Sequence, residues 1–467
     1  MRPIEIVSLE FLLLALGTAF VYYILAPRAQ LFWLLIVSYF FYATWNLWYI
    51  PVLLLFTVLN FFLAQQLEKT KSRSLLLLSL AINTGSLILL KLLSGPYGAN
   101  FWERIGSATF TAILLPIGFS FYVLQIISYL IDVHRGQIRA EKSFIQFALY
   151  VAYFPKLLAG PIERAKKFLP QLKRDRVVDR DAVEQGVYLI LLGLLRKVVI
   201  ADHLAGLRPA DLFSKPENYT SLERAIGLLI FAFVIYNDFA GYTSMVRGVS
   251  FLLGIQLSPN FRQPHFARSF SDFWARWHIT LSEWLRDYIF YPLRRWSIQA
   301  RWSGWMALVI PPMMTMLVSG FWHGASLALL LWGFLHGLFL VFEQLLQQYN
   351  LLPRNGFKAH LYSAFVFIMV TLAWIPFNTP SVRAALRYFS GSAPVDAAPF
   401  DLFILPEILL IVLSLWLDRQ EGRYGDLAFP RKWSAARQSW GVAVVILLLL
   451  LFGSTASDLS RFIYQFF

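Results

Sequence analysis

The 467-residue chain contains no cysteine, which excludes disulfides, thiolate metal sites and a cysteine nucleophile. Charge is scarce too: Asp, Glu, Lys and Arg make up 15% of the residues, whereas soluble domains carry roughly 25%. A G-x-S-x-G nucleophile elbow is missing, so a covalent acyl-enzyme on such a serine has no support. No internal repeat, low-complexity tract or soluble domain interrupts the chain. Acidic residues are the rarer charges, 27 against 41 basic ones, for a formal net charge of +14.

What is abundant is apolar. Hydrophobic residues reach 58% and the mean hydropathy is +0.58, which defines an all-α polytopic membrane protein. Apolar stretches near 7-26, 30-46, 49-66, 74-93, 110-131, 184-206, 222-241, 304-320, 324-346, 361-377, 403-417 and 440-454 predict about 12 transmembrane helices. The first of these is read as a span and not as a signal peptide, because more spans follow without a cleavage site. The stretch 144-163 is also apolar, but Pro155, Gly160 and Pro161 interrupt it and basic loops flank it. It is expected to be re-entrant or buried. Placing both termini outside puts most Lys and Arg in the inward loops, as the positive-inside rule requires. The basic excess is therefore a topology signal, and no nucleic-acid partner is expected. Segment 164-183, "RAKKFLPQLKRDRVVDRD" at its core, reads as a solvated surface facing anionic membrane lipid, with attraction of an acidic donor as the alternative.

The histidines carry the chemistry. "SGFWHGASLALLLWGFLHG", Ser319 to Gly337, holds His323 and His336 inside membrane-compatible sequence, where an ionisable side chain costs at least ~2.5 kcal/mol unless compensated. Gly320 and Gly324 predict an interruption around "FWHG". His336 lies thirteen residues after His323, about 220° around an ideal helix, so the two are expected to face different directions. Flanked by Gly333 and Gly337, His336 fits close helix packing with its imidazole bonded to a neighbour. His278 stands in "SFSDFWARWHITLSEWLRDYIFYPLRR", Ser269 to Arg295. There Phe273, Trp274, Trp277, Leu281, Trp284, Leu285 and Tyr288 predict one amphipathic interfacial helix, capped by Ser271 or Asp272. On its own, His278 on that stripe reads as a core histidine. Asp238, in "YNDFAGYTSMVRG" at the cytoplasmic end of a span, is expected to hydrogen-bond Tyr236, Tyr242 and Thr243 and either orient a histidine or lock a helix. No spacing makes a metal site.

"FPKLLAGPIERAKKFLPQL" (154-172), "YNDFAGYTSMVRG" (236-248), "DFWARWHITLSEWLRDYIFYPL" (272-293) and "GFWHGASLALLLWGFLHG" (320-337) together resemble the membrane-bound O-acyltransferase family, MBOAT, along nearly the whole chain to the closing "FIYQFF". The branch most similar is that of bacterial alginate O-acetyltransferases and relatives acting on other exported polysaccharides. The resemblance implies one MBOAT-type domain over 1-467, with re-entrant and interfacial helices around a central tunnel and a cytoplasmic interfacial region at 258-303. It places the family's invariant histidine at His323 and its second polar catalytic position at His278. Trp322, Trp277, Asp238, Ser282, Asp287 and His336 are then candidates for the tunnel or substrate contacts; for Trp322, plain packing is the equal alternative. No bound cofactor is implied. The donor would be a thioester substrate, acetyl-CoA or an acyl carrier, and the acceptor a polysaccharide, directly or through an extracytoplasmic acetyltransferase of the SGNH type. The expected location is the bacterial cytoplasmic (inner) membrane. The chain departs from the branch after "YPL", where "RRWSIQARW", Arg294 to Trp302, replaces a Gly-Gly-Asn-Arg type loop, which bears on donor or partner docking. Direct transfer needs only a base: a neutral His323 imidazole would take the acceptor proton, while His278 positions the acceptor or donates to the oxyanion. A secondary transporter or polysaccharide exporter is the alternative class, against which the lack of repeated halves argues.

Overall fold

The computed structural model describes residues 3–94, 115–174, 177–353, 355–390 and 404–453, and among them the chain is helical without strands. Its principal helices are α1 (Leu9–Ile24), α2 (Pro27–Trp45), α3 (Tyr49–Thr70), α4 (Arg73–Ser94), α5 (Phe119–His134), α6 (Phe144–Ala152), α7 (Arg180–Leu194) and α8 (Ser221–Leu252). They continue with α9 (Phe270–Arg276), α10 (Ile279–Leu285), α11 (Gly304–His323), α12 (Leu327–Gln348), α13 (Gly356–Asn378), α14 (Ile404–Tyr424) and α15 (Ala435–Gly453). Seven of the described helices are long and apolar enough to cross a membrane, and α1 and α5 are shorter apolar helices. The protein is thus a multi-pass helical membrane protein. The start of the 110-131 stretch and the closing "FIYQFF" lie outside the described residues.

Local chemistry explains the joints. Ser8 accepts from the Phe11 amide to start α1, and Pro27 opens α2, where its missing N–H is no loss. Between α3 and α4, the amides of Asn60 and Asn83 exchange hydrogen bonds of 3.1 and 2.8 Å, an apolar-phase clamp for two helices that are otherwise mostly apolar. The central element is α8, most of whose residues are buried inside the protein. It starts on a reciprocal Thr220–Glu223 capping box. Its Gly241 packs backbone to backbone on Gly193 of α7; a Cβ on either would stand 2.7 Å from the other's carbonyl oxygen.

Behind α7 the helix relaxes into a π-turn, Leu195–Ala201, that turns two cations inward. Arg196 reaches Asp418 at 2.7 Å and Glu421 at 2.8 Å, and Tyr236 donates to Asp418. Lys197 pairs with Asp202 at 2.7 Å and Asp238 at 2.6 Å. Arg196, Lys197, Asp238, Asp418 and Glu421 are buried, and their mutual pairing is what makes that tolerable. Residues 144-163 are buried for most of their length, broken at Tyr153 before Pro155, as their composition predicts.

Candidate active site

The segment around His278 does not form one interfacial helix. Ser269, not Ser271 or Asp272, caps α9, its side chain accepting from the Asp272 amide. The helix stops after Arg276, α10 begins at Ile279, and a π-turn over Arg286–Phe290 follows. His278 sits at the break with φ +41°, in the left-handed region that a non-glycine residue rarely occupies. Asn260 holds the break: its carbonyl accepts from the Ile279 amide at 2.9 Å, and its side-chain oxygen accepts from the Thr280 amide and hydroxyl at 3.2 and 2.7 Å. A regular amphipathic stripe conceals this, because the hydrophobic spacing continues on both sides of the kink.

The segment also runs into the protein instead of lying flat on its surface. At its start, the backbone amide of Phe270 donates to Glu343 of α12 at 2.5 Å, and the amide of Ser271 donates to the same carboxylate. Further on, Trp274 packs on His336 and Trp332 of α12 with ring centres 5.1 and 5.8 Å apart. Glu343 and Trp332 are separated by about 16 Å of helix rise. The α9 helix therefore carries His278 from one end of α12 to the level of the α11–α12 turn. There His278 packs 5.9 Å from Trp322 and 4.8 Å from Phe239.

His323 is the last residue of α11. The expected interruption around "FWHG" is there, at Gly324; Gly320 itself lies inside the helix. Gly320 instead serves packing. A Cβ on it would stand 2.4 Å from the Leu329 carbonyl oxygen, and one on Gly333 would stand 2.3 Å from that of Met316. The hairpin is that tight. It places His323 against Trp322 at 4.9 Å, Trp332 at 5.1 Å and Phe377 at 5.2 Å, and only 3% of the residue remains exposed. His336 lies 4.8 Å from the same Trp332. The expectation that His323 and His336 face apart assumed one ideal helix; the turn reverses the chain, and the two imidazoles meet on one indole. His336 fits tight packing, but among the described residues neither ring nitrogen has a hydrogen-bond partner; Phe273, Trp274, Trp332 and Phe339 pack against it.

The site is thus an aromatic chamber around two fully buried imidazoles, with Trp322 between His278 and His323. His278 lies outside the seven spans, and burial pushes its imidazole from 6.5 down to about 3, which makes it neutral at neutral pH.

The other sequence candidates divide. Trp277 is buried against Tyr236, Phe261, Phe273 and Trp374, one layer behind His278. Ser282 lines a cavity of about 330 Å³ together with Trp274, Ile279, Glu283, Arg286 and Thr315. That cavity abuts the chamber, although neither His278 nor His323 is among its lining residues. Asp287 sits apart, half-exposed, accepting from Arg164 at 3.4 Å and Arg286 at 3.1 Å. Asp238 lies in the middle of α8, not at its end. Its charged partner is Lys197, while Tyr236 bonds Asp418 and Tyr242 accepts from the Ala159 amide. The Lys197–Asp238 ion pair ties α8 to the π-turn after α7. Among the described residues no cluster of His, Asp and Glu could hold a metal ion. In the atypical loop, Tyr291–Gln299 is helical, and Trp296 packs on Trp302 at 4.9 Å.

A helical membrane protein with two buried imidazoles packed on one indole is the class this geometry defines. The profile of the membrane-bound O-acyltransferase family matches residues 21–378, and the chain belongs to that family. It is 35% identical over 389 residues to the probable alginate O-acetylase AlgI of Pseudomonas aeruginosa, covering 79% of this chain and 71% of that one. It is 31% identical over 398 residues to the peptidoglycan O-acetyltransferase of Helicobacter pylori, covering 78% and 74%. The teichoic acid D-alanyltransferase of Bacillus subtilis is 25% identical over 274 residues, 56% of this chain and 68% of that one. The protein is an O-acyltransferase of the membrane.

Proposed function

We propose that the chain moves an acetyl group from a cytoplasmic thioester, acetyl-CoA or an acyl carrier, to hydroxyls of an exported polysaccharide, either directly or by way of an extracytoplasmic acetyltransferase of the SGNH type. The polysaccharide acceptor is favoured by the names of the relatives, which concern alginate, peptidoglycan and teichoic acid. The observation that carries the mechanism is the pair of buried imidazoles on either side of Trp322. In this reading neutral His323 takes the proton of the acceptor hydroxyl as its oxygen attacks the thioester carbonyl. His278 donates a hydrogen bond to the oxygen on which charge develops, a contribution of roughly 3 kcal/mol when well aimed. Trp322 sets the spacing between the two and excludes water. The 330 Å³ cavity beside Trp274 and Ser282 is where part of a substrate chain would lie before the chamber opens.

The proposed location is the bacterial inner membrane, with both termini extracytoplasmic, as the excess of basic residues in the inward loops favours. Reporter tags at the termini and near Asn350 test that orientation; a cytoplasmic C-terminus would overturn it. The activity is tested in proteoliposomes with a radiolabelled acetyl thioester outside and an acceptor polysaccharide or partner acetyltransferase enclosed. Label should move to the acceptor. Retention of all label on the thioester with every candidate acceptor would overturn the reading.

A further inference from the structure

We propose that Lys91 is a further residue of the transfer site, supplying a positive charge where the thioester carbonyl becomes an oxyanion. The proposal rests on the reading of His323 as the base. Lys91 lies in the last turn of α4, and between Arg73 and Lys91 that helix carries no charge at all. The buried positions of α4 are Ser79, Asn83, Leu87 and Lys91, one residue per turn, so Lys91 belongs to the stripe that faces the protein. It is only 4% exposed, and its ammonium stands 5.9 Å from the centre of the Trp322 ring. Among the described residues Nζ makes no hydrogen bond and no ion pair.

Ordinary roles do not account for this placement. A lysine that snorkels reaches towards headgroups, whereas this one points inward. A cation in a last turn complements the helix dipole, yet no α4 carbonyl accepts from it. Beside a neutral imidazole alone, a buried ammonium is only a cost. It becomes favourable when an anion forms within its reach, and the proposed reaction forms one. As the acceptor oxygen bonds to the carbonyl carbon and its proton passes to His323, the carbonyl π pair moves onto oxygen. The ammonium stabilises that oxyanion. The carbon–sulfur bond then breaks, the electron pair leaves with sulfur, and the imidazolium returns its proton to the thiolate. Trp322, in contact with Lys91, His278 and His323 alike, holds the three groups around one reacting centre.

The test compares Lys91→Met, Lys91→Arg and His323→Ala in proteoliposomes with an acetyl thioester and an acceptor. Lys91→Met should lower kcat on the order of 10²–10³-fold, with KM for both substrates and the melting temperature little changed. Lys91→Arg, which restores the charge, should recover at least about tenfold of that loss. A folded Lys91→Met with wild-type kcat, or one that changes KM alone, would overturn the proposal. Should the Met variant not fold, Lys91→Gln replaces it, and wild-type kcat in that variant overturns the proposal equally. An inactive His323→Ala beside a fully active Lys91→Met removes the Lys91 role only; an active His323→Ala removes the reading on which it rests.

Discussion

His278 stands 5.9 Å, ring centre to ring centre, from Trp322, the residue that directly precedes His323. The two histidines come from segments separated by forty-five positions, and a kinked helix held at both ends brings them to one indole. Each fixture of that arrangement can be removed by itself.

The kink at His278 separates backbone from chemistry. Asn and Gly accept φ +41° readily, so His278→Asn and His278→Gly should fold like the wild type while transfer falls about 10²-fold or more. His278→Val should also lose stability, because a β-branched residue is strained there. Melting curves and initial rates on purified protein separate the two effects. Burial also makes the His278 imidazole resist protonation. The unfolded chain therefore binds a proton below about pH 6.5 that the folded one takes up only near 3, and stability is lost as pH falls through that window. The Asn variant should lose less stability than the wild type between pH 6.5 and 4; equal losses would assign the effect elsewhere.

Glu343 anchors the other end of the same helix. Its buried carboxylate accepts from the amides of Phe270 and Ser271. Removing a charged acceptor and leaving buried donors unpaired costs about 2–3 kcal/mol. Glu343→Ala should lower the melting temperature and the rate together, and Glu343→Gln, which keeps one acceptor oxygen, should recover part of both. A Glu343→Ala variant that loses stability but not rate would show that α9 keeps its course without the anchor.

Gly333 tests the hairpin. An alanine Cβ there would meet the Met316 carbonyl oxygen at 2.3 Å, and backbone cannot yield as a side chain does. Gly333→Ala should cost about 1–3 kcal/mol or more through overpacking and displace Trp332 from His323. Intrinsic tryptophan fluorescence and thermal unfolding are the readouts; an unchanged spectrum and melt would contradict the close approach.

Asp238 separates the two roles its sequence context allowed. With Lys197 at 2.6 Å, it clamps α8 to the π-turn. Asp238→Asn should destabilise the protein by about 2 kcal/mol or more, while the turnover of the fraction that remains folded stays within about threefold. A stable Asn variant with a thousandfold lower kcat would mean that the carboxylate takes part in catalysis.

The sequence made some of this legible and hid the rest for physical reasons. Membrane class and the buried stretch 144-163 follow from hydropathy, and the cost of ionisable groups in apolar surroundings singles out His323 as a candidate; His278, on its own a core histidine, becomes a candidate only through the family resemblance. The kink at His278 escaped because aromatic spacing survives it, and the meeting of His323 and His336 escaped because a three-residue turn reverses the chain between them. The pairing of Arg196 with Asp418 joins residues 222 positions apart, a contact no local pattern encodes. Lys91 did have a signal, the one charge that follows Arg73 in a mostly apolar helix. What that signal lacked was the neighbour, Trp322, that gives it meaning.

The central claim is that His323 is the base of acyl transfer and is not a packing element. Its most direct test is His323→Ala, purified, matched to wild type in amount, monodispersity and melting temperature, and measured for transfer of labelled acetyl from thioester to acceptor. The expected result is loss of transfer to the level of protein-free vesicles, with donor binding retained. Transfer at the wild-type rate by that folded variant would contradict it.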